Sequence, residues 1–389
     1  MPQNRSPVVI DCIRTPVGRS HDKRGAFRNV RSDDLGVAVV RALLERTGID
    51  PAEIDDVVLG AAQHYGEQGF NAARFVALAA GIPCTVPAAT INRLCASSLQ
   101  ALQQATHAIM AGCADVVIAG GFEHMHHLPI DTGWDVHPKF MEVWGEDALS
   151  MGTATDLLAS NRGITRQQQD AYALESHQKA AAAQEAGAFQ AEIVPVMTRG
   201  RKNVEMLVEK DQCIRADTSL ERLAELQPAF LPVEGTVTAG NASPLSDGAA
   251  ALLIMSEAKA RALGFRPLVR IAATAAVGVD PLEFGLGPVP ATQVALERAG
   301  MTLQDIDLVE INEAFAAQVL ACLREMPVAV ERLNVRGGAL AIGHPLGASG
   351  ARISTTLIRA MVDRGAATGL ATMCVGHGQG MAAVFERTD

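Results

Sequence analysis

The strongest constraint on the fold is an alternation of apolar runs with amphipathic stretches, which occurs twice along the chain. In the first half, apolar runs at Ser6–Pro16, Ile54–Ala62 and Ala114–Gly121 predict buried strands. Helical spacing over Ser32–Asp50 and Ser97–Gly112 predicts helices between them. Strands that alternate with helices in this way predict an α/β fold with a parallel or mixed sheet.

The second half repeats the pattern. Strands are predicted at Leu268–Gly278 and Ile306–Ala314, and helices at Val289–Gly300 and Ser349–Gly365. In each half, a loop of small residues carries a reactive side chain directly into an amphipathic helix, a cysteine in the first half and a histidine in the second. The sequence therefore suggests a duplicated α/β fold.

A polar stretch separates the two halves. We assign the first half to residues 1–121 and 245–266, an inserted loop subdomain to 122–244, and the second half to 267–389. The insert is predicted to be mainly helical or irregular, with a helix over Thr165–Gly187 that Thr165 caps.

Composition excludes several classes of protein. The formal net charge is −10, which argues against a nucleic-acid partner. No apolar stretch reaches the roughly 18 residues of a membrane helix. The seven cysteines are odd in number and widely spaced, and the first residues lack the pattern of a secretory signal. We therefore expect a cytoplasmic protein with free thiols.

Cys95 lies in the segment INRLCASS, where a predicted strand leads into a helix. The N-terminal end of a helix carries unpaired N–H groups and partial positive charge, so a thiol there is expected to have a lowered pKa and to act as a nucleophile. The alternative is a buried structural cysteine, which is the common fate of cysteine in a core.

His344 and Cys374 lie in two glycine-rich segments. His344, in GHPLGASG, is placed to act as a base for a thiol or as a donor to an oxyanion; the alternative is a loop histidine bonded locally. Cys374 ends a strand and enters VGHGQG, whose backbone N–H groups suit an oxyanion hole; the alternative is a tight hairpin with an incidental cysteine.

Weaker signals lie elsewhere. Asn312 follows a strand and is placed to hold a water, or to cap the next helix. The Gly240–Ala251 segment indicates a turn before a strand. Glu123–His127 (EHMHH) suggests a metal site, but the residues are contiguous rather than spaced as ligands, so we predict no metal there. His377 is interpreted as a variable turn residue.

Two cysteines and a histidine beside small residues are what a carbon–carbon-cleaving acyl transfer needs. In their order along the chain, the three segments resemble the signature motifs of the thiolase family. The resemblance extends over essentially the whole chain and includes NEAFA at Asn312–Ala316 and GNAS at Gly240–Ser243.

Within the family, the likeness is greatest to the degradative members that cleave 3-ketoacyl-CoA in fatty-acid β-oxidation, notably in GEQGFNAAR at Gly66–Arg74. Ala96, His377 and the segment GNASPLSDGAA depart from that subgroup. The alternative is a biosynthetic acetoacetyl-CoA thiolase that condenses two acetyl-CoA. A 3-ketoacyl synthase is disfavoured because Cys374 stands where a second histidine is usual. A non-catalytic carrier is disfavoured because the catalytic residues are all present.

The resemblance implies a five-layer αβαβα fold of two similar halves, with the insert covering CoA. It implies Cys95 as nucleophile, His344 as its base, Cys374 as acid and base, and Asn312 as the holder of a water. Gly376 would contribute an oxyanion-hole N–H. For CoA, it implies Ser243 at the pantetheine arm and Arg215 near the adenine.

The same resemblance implies CoA as a substrate and neither a metal nor any other cofactor. It also implies a homodimer or larger assembly, and a hydratase–dehydrogenase subunit as a partner.

Overall fold

The structure is a computed structural model that describes residues 5–200 and 204–388. The helices are α1 (Ser32–Thr47), α2 (Ala72–Ala79), α3 (Ser97–Ala111), α4 (Pro138–Trp144), α5 (Met151–Asn161), α6 (Arg166–Glu185), α7 (Leu220–Ala224), α8 (Glu257–Ala262), α9 (Pro288–Ala299), α10 (Ala316–Glu325), α11 (Ala339–Ile342) and α12 (Leu346–Arg364). The strands are β1 (Pro7–Arg14), β2 (Gly18–Arg19), β3 (Asp56–Gly60), β4 (Ala88–Ile91), β5 (Val116–His124), β6 (Val196–Arg199), β7 (Glu205–Val208), β8 (Ser246–Ser256), β9 (Val269–Gly278), β10 (Leu308–Ile311), β11 (Thr368–Val375) and β12 (Gln379–Arg387).

The strands of the two halves join in a mixed ten-stranded sheet. Its order is β10-β11-β12-β9-β1-β8-β5-β3-β4, with β2 paired to β8. The halves meet at β1, which pairs with β8 from Pro7 to Arg14 but with β9 only at Val8 and Val9. Strand pairing is therefore extensive within the first half, and only two residue pairs join the two halves.

Successive residues of a strand face opposite sides of the sheet, and the hydrophobic cores on these sides define five layers of helices and strands. On β3, Val57 and Leu59 face a core with α1 and α2, whereas Val58 faces a central core. On β12, Met381 faces the central core and Val384 faces a third core with α9 and α10. Because α3 and α12 lie in the central core between the two half-sheets, the predicted five-layer arrangement is confirmed.

The central helix α12 is buried on every side from Gly347 to Met361. It begins at Leu346, three residues before the predicted start at Ser349, and therefore places His344 directly before its first turn. Its buried residues include arginines, serines and threonines. Within the described part of the chain, neither this helix nor any other is both long and apolar enough to cross a membrane.

The inserted segment differs in detail from expectation. β5 continues through residues 122–124, past the predicted boundary at 121. β6 and β7 form a small antiparallel sheet, so the insert is not solely helical or irregular. The predicted cap of α6 is confirmed, because the Thr165 hydroxyl accepts a hydrogen bond from the Gln168 N–H and the Gln168 amide accepts one in return.

Candidate active site

Cys95 lies in a tight turn between β4 and α3. Leu94, just before it, has a φ of 47°, a conformation that non-glycine residues rarely adopt. The Ser97 hydroxyl stabilises the turn, since its oxygen lies 2.9 Å from the Arg93 amide and 2.7 Å from the Leu94 carbonyl. The Arg93 guanidinium holds the turn against the glycine-rich hairpin through Gln379, at 2.7 Å. The turn therefore fixes Cys95 beside the segment that carries Cys374.

The protonation state of Cys95 differs from the prediction. Burial raises the pKa of its thiol to about 11; the Gly376 N–H lowers it, and the Glu123 charge raises it. The predicted lowering is wrong because burial of the thiol outweighs the effect of the Gly376 N–H. The thiol is therefore neutral at rest and must lose its proton as it reacts.

His344 is buried directly before α12, and its ring has a defined tautomer. Its Nδ1 lies 2.6 Å from the Ser349 hydroxyl, which donates its own proton to the Pro345 carbonyl at 2.8 Å. We therefore assign the imidazole proton to Nδ1, which leaves Nε2 as the free acceptor. Burial and, to a smaller extent, the Arg352 charge lower the pKa of His344 to about 3. The ring is thus a neutral base.

Asn312 lies directly after β10 and faces His344. Its Nδ2 is 3.3 Å from His344 Nε2, and its backbone N–H donates to the Thr372 carbonyl at 2.9 Å. The alternative that Asn312 caps the next helix is wrong, because α10 begins at Ala316 with Phe315 at its N-cap position. The Asn312 side chain therefore contacts the His344 ring and does not cap a helix.

Cys374 and Gly376 lie at the hairpin between β11 and β12. Cys374 is buried against an apolar cluster that includes Phe284 and Ala154. Burial raises the pKa of its thiol well above the usual value, and the nearby Cys95 raises it further. The Gly376 N–H lowers the pKa of the Cys95 thiol, so it lies close to that sulfur. The segment does form a tight hairpin, as the alternative proposed. Cys374 is not incidental to it, however, because it lies beside Cys95.

Packing of α3 on α12 brings these groups together. The Ser98 hydroxyl accepts a hydrogen bond from the Ala351 N–H at 2.9 Å. The Glu123 carboxylate accepts one from Ala62 and one from Gly347, both at 2.7 Å, and so joins β5, the loop after β3 and the start of α12. Among the described atoms, Cys95 and His344 share no direct hydrogen bond; these contacts bring their segments together.

The two residues predicted for CoA lie near a surface cleft. Arg215 is exposed and lines this cleft with Ala242, Pro244 and Leu340. Ser243 lies between two of these lining residues, and its N–H donates to the Ala314 carbonyl at 2.9 Å. Because α11, which contains Leu340, leads to His344, the cleft runs from Arg215 toward the histidine segment.

The EHMHH segment has local partners. His124 lies 3.3 Å from Asp247, and His127 lies 3.3 Å from Glu67 and stacks on His124. Burial lowers the pKa of His124 to about 4. Across residues 5–200 and 204–388, no group of three or more histidine, cysteine or acidic side chains is placed to hold a metal ion.

Sequence reasoning missed Ser349, Arg352 and Glu123. Ser349 lies in the first turn of α12, one helical turn from Pro345, so its contact with the histidine was available from local spacing once the helix start was known. Glu123 and Arg352 carry no local signal of their role, because their partners lie on elements distant in sequence.

The arrangement supplies what acyl transfer through a thioester needs. It has a thiol next to a backbone N–H, a neutral imidazole with a free nitrogen, an amide beside that imidazole, and a second buried thiol near the first. An enzyme with these groups is able to hold an acyl group on sulfur and to move protons at two positions.

The family models agree with this chemistry. "Thiolase, N-terminal domain" matches residues 7–258 and "Thiolase, C-terminal domain" matches residues 265–387. The chain belongs to the thiolase family and is therefore an acyltransferase. The resemblance inferred from its motifs is confirmed.

Curated relatives and solved structures cover almost the full length. The 3-ketoacyl-CoA thiolases of Pseudoalteromonas translucida and Cronobacter sakazakii are 51% and 52% identical, and each alignment covers 98% of this chain and 99% of the relative. The crystal structure of the Bacillus anthracis acetyl-CoA acetyltransferase matches with a TM-score of 0.90 at 40% identity, covering 98% and 99%. The human mitochondrial 3-ketoacyl-CoA thiolase matches with a TM-score of 0.91 at 36% identity, covering 99% and 100%.

Proposed function

We propose that this protein cleaves 3-ketoacyl-CoA with CoA, giving acetyl-CoA and an acyl-CoA shortened by two carbons. The observation that supports this most is the joint placement of Cys95 and Cys374 beside one hairpin, with the neutral His344 at the adjoining helix start. The names of the relatives at 51–52% identity support the same substrate class and a place in fatty-acid β-oxidation.

In the first step, the Cys95 sulfur attacks the 3-keto carbon while its proton passes to Nε2 of His344. The bond between the 3-keto carbon and the α carbon then breaks. Cys95 retains the shortened acyl group as a thioester, and the electron pair passes into the enolate of acetyl-CoA. The protonated imidazole and a water held by Asn312 stabilise the enolate oxygen. Cys374 donates its proton to the α carbon, which completes acetyl-CoA.

In the second step, the Cys374 thiolate takes the proton of an incoming CoA thiol. The CoA sulfur attacks the Cys95 thioester, and the N–H groups of Cys95 and Gly376 stabilise the tetrahedral oxyanion. The acyl group leaves on CoA, and the Cys95 thiolate takes back the proton from His344. Cys95, His344 and Cys374 have then returned to their starting protonation states.

The inserted segment covers the CoA in this proposal. Ser243 lies along the pantetheine arm and Arg215 near the adenine; Arg215 lines the cleft, and Ser243 stands between its lining residues Ala242 and Pro244. CoA acts as a substrate, and the chemistry uses neither a metal nor another cofactor, because sulfur carries the acyl group.

The protein acts in the cytoplasm as a homodimer or larger assembly, with a hydratase–dehydrogenase subunit as a further partner. Exposed apolar side chains beside the terminal strand β4 support self-association. Beside this strand lies α2, which exposes Phe75 and Leu78, and Phe70 just before α2 is 95% exposed. The outer edges of both end strands have hydrogen-bond partners, β10 in residues 332–334 and β4 in the Asn71 side chain, so the support for self-association comes from the exposed apolar side chains.

The biosynthetic alternative is condensation of two acetyl-CoA. It is not favoured, since the relatives named 3-ketoacyl-CoA thiolase are 51–52% identical and the acetyl-CoA acetyltransferase is 40% identical. A thiolysis assay over 3-ketoacyl chain lengths tests the proposal. Activity on medium or long chains is expected; activity confined to acetoacetyl-CoA contradicts it.

A further inference from the structure

A buried polar chain lies behind His344. Glu310 and Asn312 are two residues apart at the end of β10, so their side chains project to the same face of the strand. That face meets α12, which carries Arg352. The Arg352 Nη2 lies 3.4 Å from the Asn312 Oδ1. All three side chains are 1% exposed or less.

This contact determines which end of the Asn312 amide faces the histidine. A guanidinium only donates hydrogen bonds, so the amide oxygen must face Arg352. The NH₂ group then faces the His344 ring, with its nitrogen 3.3 Å from Nε2 and 3.5 Å from Nδ1. In the flipped orientation, a carbonyl oxygen would face the imidazole lone pair and the site where negative charge develops.

Glu310 lies on the same face of β10, but its carboxyl oxygens have no hydrogen-bond partner among the described residues and form no ion pair with Arg352. Burial raises the pKa of Glu310 to about 8, and the Arg352 charge is the largest influence that lowers it. Conversely, Glu310 is the largest influence that opposes the effect of burial on the pKa of Arg352. Other charged groups act on the same pair; they are Arg14, Glu192, Glu313 and Arg336.

We propose that Arg352 is a positioning residue that fixes the Asn312 amide with its NH₂ group toward His344 and the water that stabilises the enolate oxygen. This rests on the proposed function, in which Asn312 acts on the enolate. The pair therefore matters for carbon–carbon cleavage, which forms the enolate. It matters little for thioester exchange between acetyl-CoA and another thiol, which passes through Cys95 without an enolate.

The test compares these two reactions in Arg352→Met. Thiolysis of a 3-ketoacyl-CoA is expected to fall about 10²-fold, the usual cost of losing one oxyanion donor or misplacing it. Thioester exchange is expected to stay within about threefold, because its oxyanion is held by backbone N–H groups. Arg352→Lys keeps a donor and is expected to recover part of the thiolysis.

Arg359→Met is the matched control. Arg359 is a second buried arginine of α12, paired with Asp11 and bonded to the Cys12 carbonyl at 2.9 Å. This variant is expected to leave the ratio of thiolysis to exchange unchanged.

A second variant covers the case in which Arg352→Met does not fold. In Glu310→Gln/Arg352→Met neither ionisable group remains, so no unpaired buried charge can be left. The double variant is expected to fold and to show the same selective loss of thiolysis. Equal losses in both reactions, or wild-type thiolysis in the double variant, would overturn the positioning role. Absence of thiolysis in the wild type would instead contradict the proposed function.

Discussion

The Ser349 hydroxyl lies 2.6 Å from Nδ1 of His344 and donates its own proton to the Pro345 carbonyl. The serine hydroxyl therefore accepts a hydrogen bond from the imidazole, and this keeps the imidazole proton on Nδ1. The nitrogen that remains free is Nε2; the Asn312 Nδ2 lies 3.3 Å from it and 3.5 Å from Nδ1. One side chain thus decides which ring nitrogen serves as the base.

Replacing Ser349 with alanine removes that acceptor. We expect kcat for thiolysis to fall by about 10- to 100-fold with little change in KM, because the other tautomer presents an N–H where a base is needed. Steady-state kinetics measure this. Ser354→Ala is the control, since Ser354 is buried on the same helix and bonds only to the Gly350 carbonyl. Equal kinetics for the two variants would contradict the tautomer assignment.

Cys95 is expected to carry the acyl group. Cys95→Ser should abolish turnover, because a serine hydroxyl is a far weaker nucleophile under the same base. Mass spectrometry of the wild type after acyl-CoA is added should find the adduct on the peptide with Cys95. Cys113→Ser, at an exposed cysteine, should retain activity and the adduct. An adduct on Cys374 would refute the assignment.

Cys374 is expected to move protons without holding the acyl group. In Cys374→Ala, acylation of Cys95 should persist while overall turnover falls by about 10²–10⁴-fold, the usual contribution of an acid–base group. Rapid-quench measurement of the acyl-enzyme, with steady-state assays, separates the two quantities. Turnover within a few fold of the wild type would show that another group transfers the proton.

The sequence predicts the reactive segments because their signals are local. A cysteine before a helix, a histidine among glycines and a cysteine at the end of a strand are visible within a few residues each. The protonation state of Cys95 is not local. It follows from burial produced when α3 packs on α12, and those helices lie on opposite halves of the chain.

Long-range partners explain the other gaps. The sequence indicates only that Arg352 lies in a helix. Its contact with Asn312 depends on the packing of α12 against β10, which local sequence does not predict. The early start of α12 was missed because Pro345 indicates a break, whereas here it stands at the N-cap position of the helix. The sequence does not predict the small β6–β7 sheet, because the insert is polar and these two strands are short.

Alkylation of Cys95 should depend steeply on pH. Because burial raises the pKa of this thiol to about 11, the thiolate fraction should rise about tenfold per pH unit from pH 6 to pH 10. Peptide mapping after iodoacetamide treatment of the free enzyme measures the rate at Cys95, with the exposed Cys84 as an internal reference. A plateau below pH 8 would mean that the site holds a thiolate at rest.

Self-association is expected to use the surface beside β4. This strand ends the sheet, and α2 beside it exposes Phe75 at 56%, so an apolar surface adjoins the terminal strand. Phe75→Glu should shift the homodimer toward monomer in light scattering, because dimerisation would bury the added charge. Val330→Glu, at another exposed apolar residue, is the control.

The native protein from its own cells should elute as a larger complex with a hydratase–dehydrogenase subunit and act on medium or long acyl chains. Sharing one assembly shortens the path of an apolar, CoA-bound intermediate between active sites. A stable homotetramer without a partner, active only on acetoacetyl-CoA, would contradict this assembly and support the biosynthetic alternative.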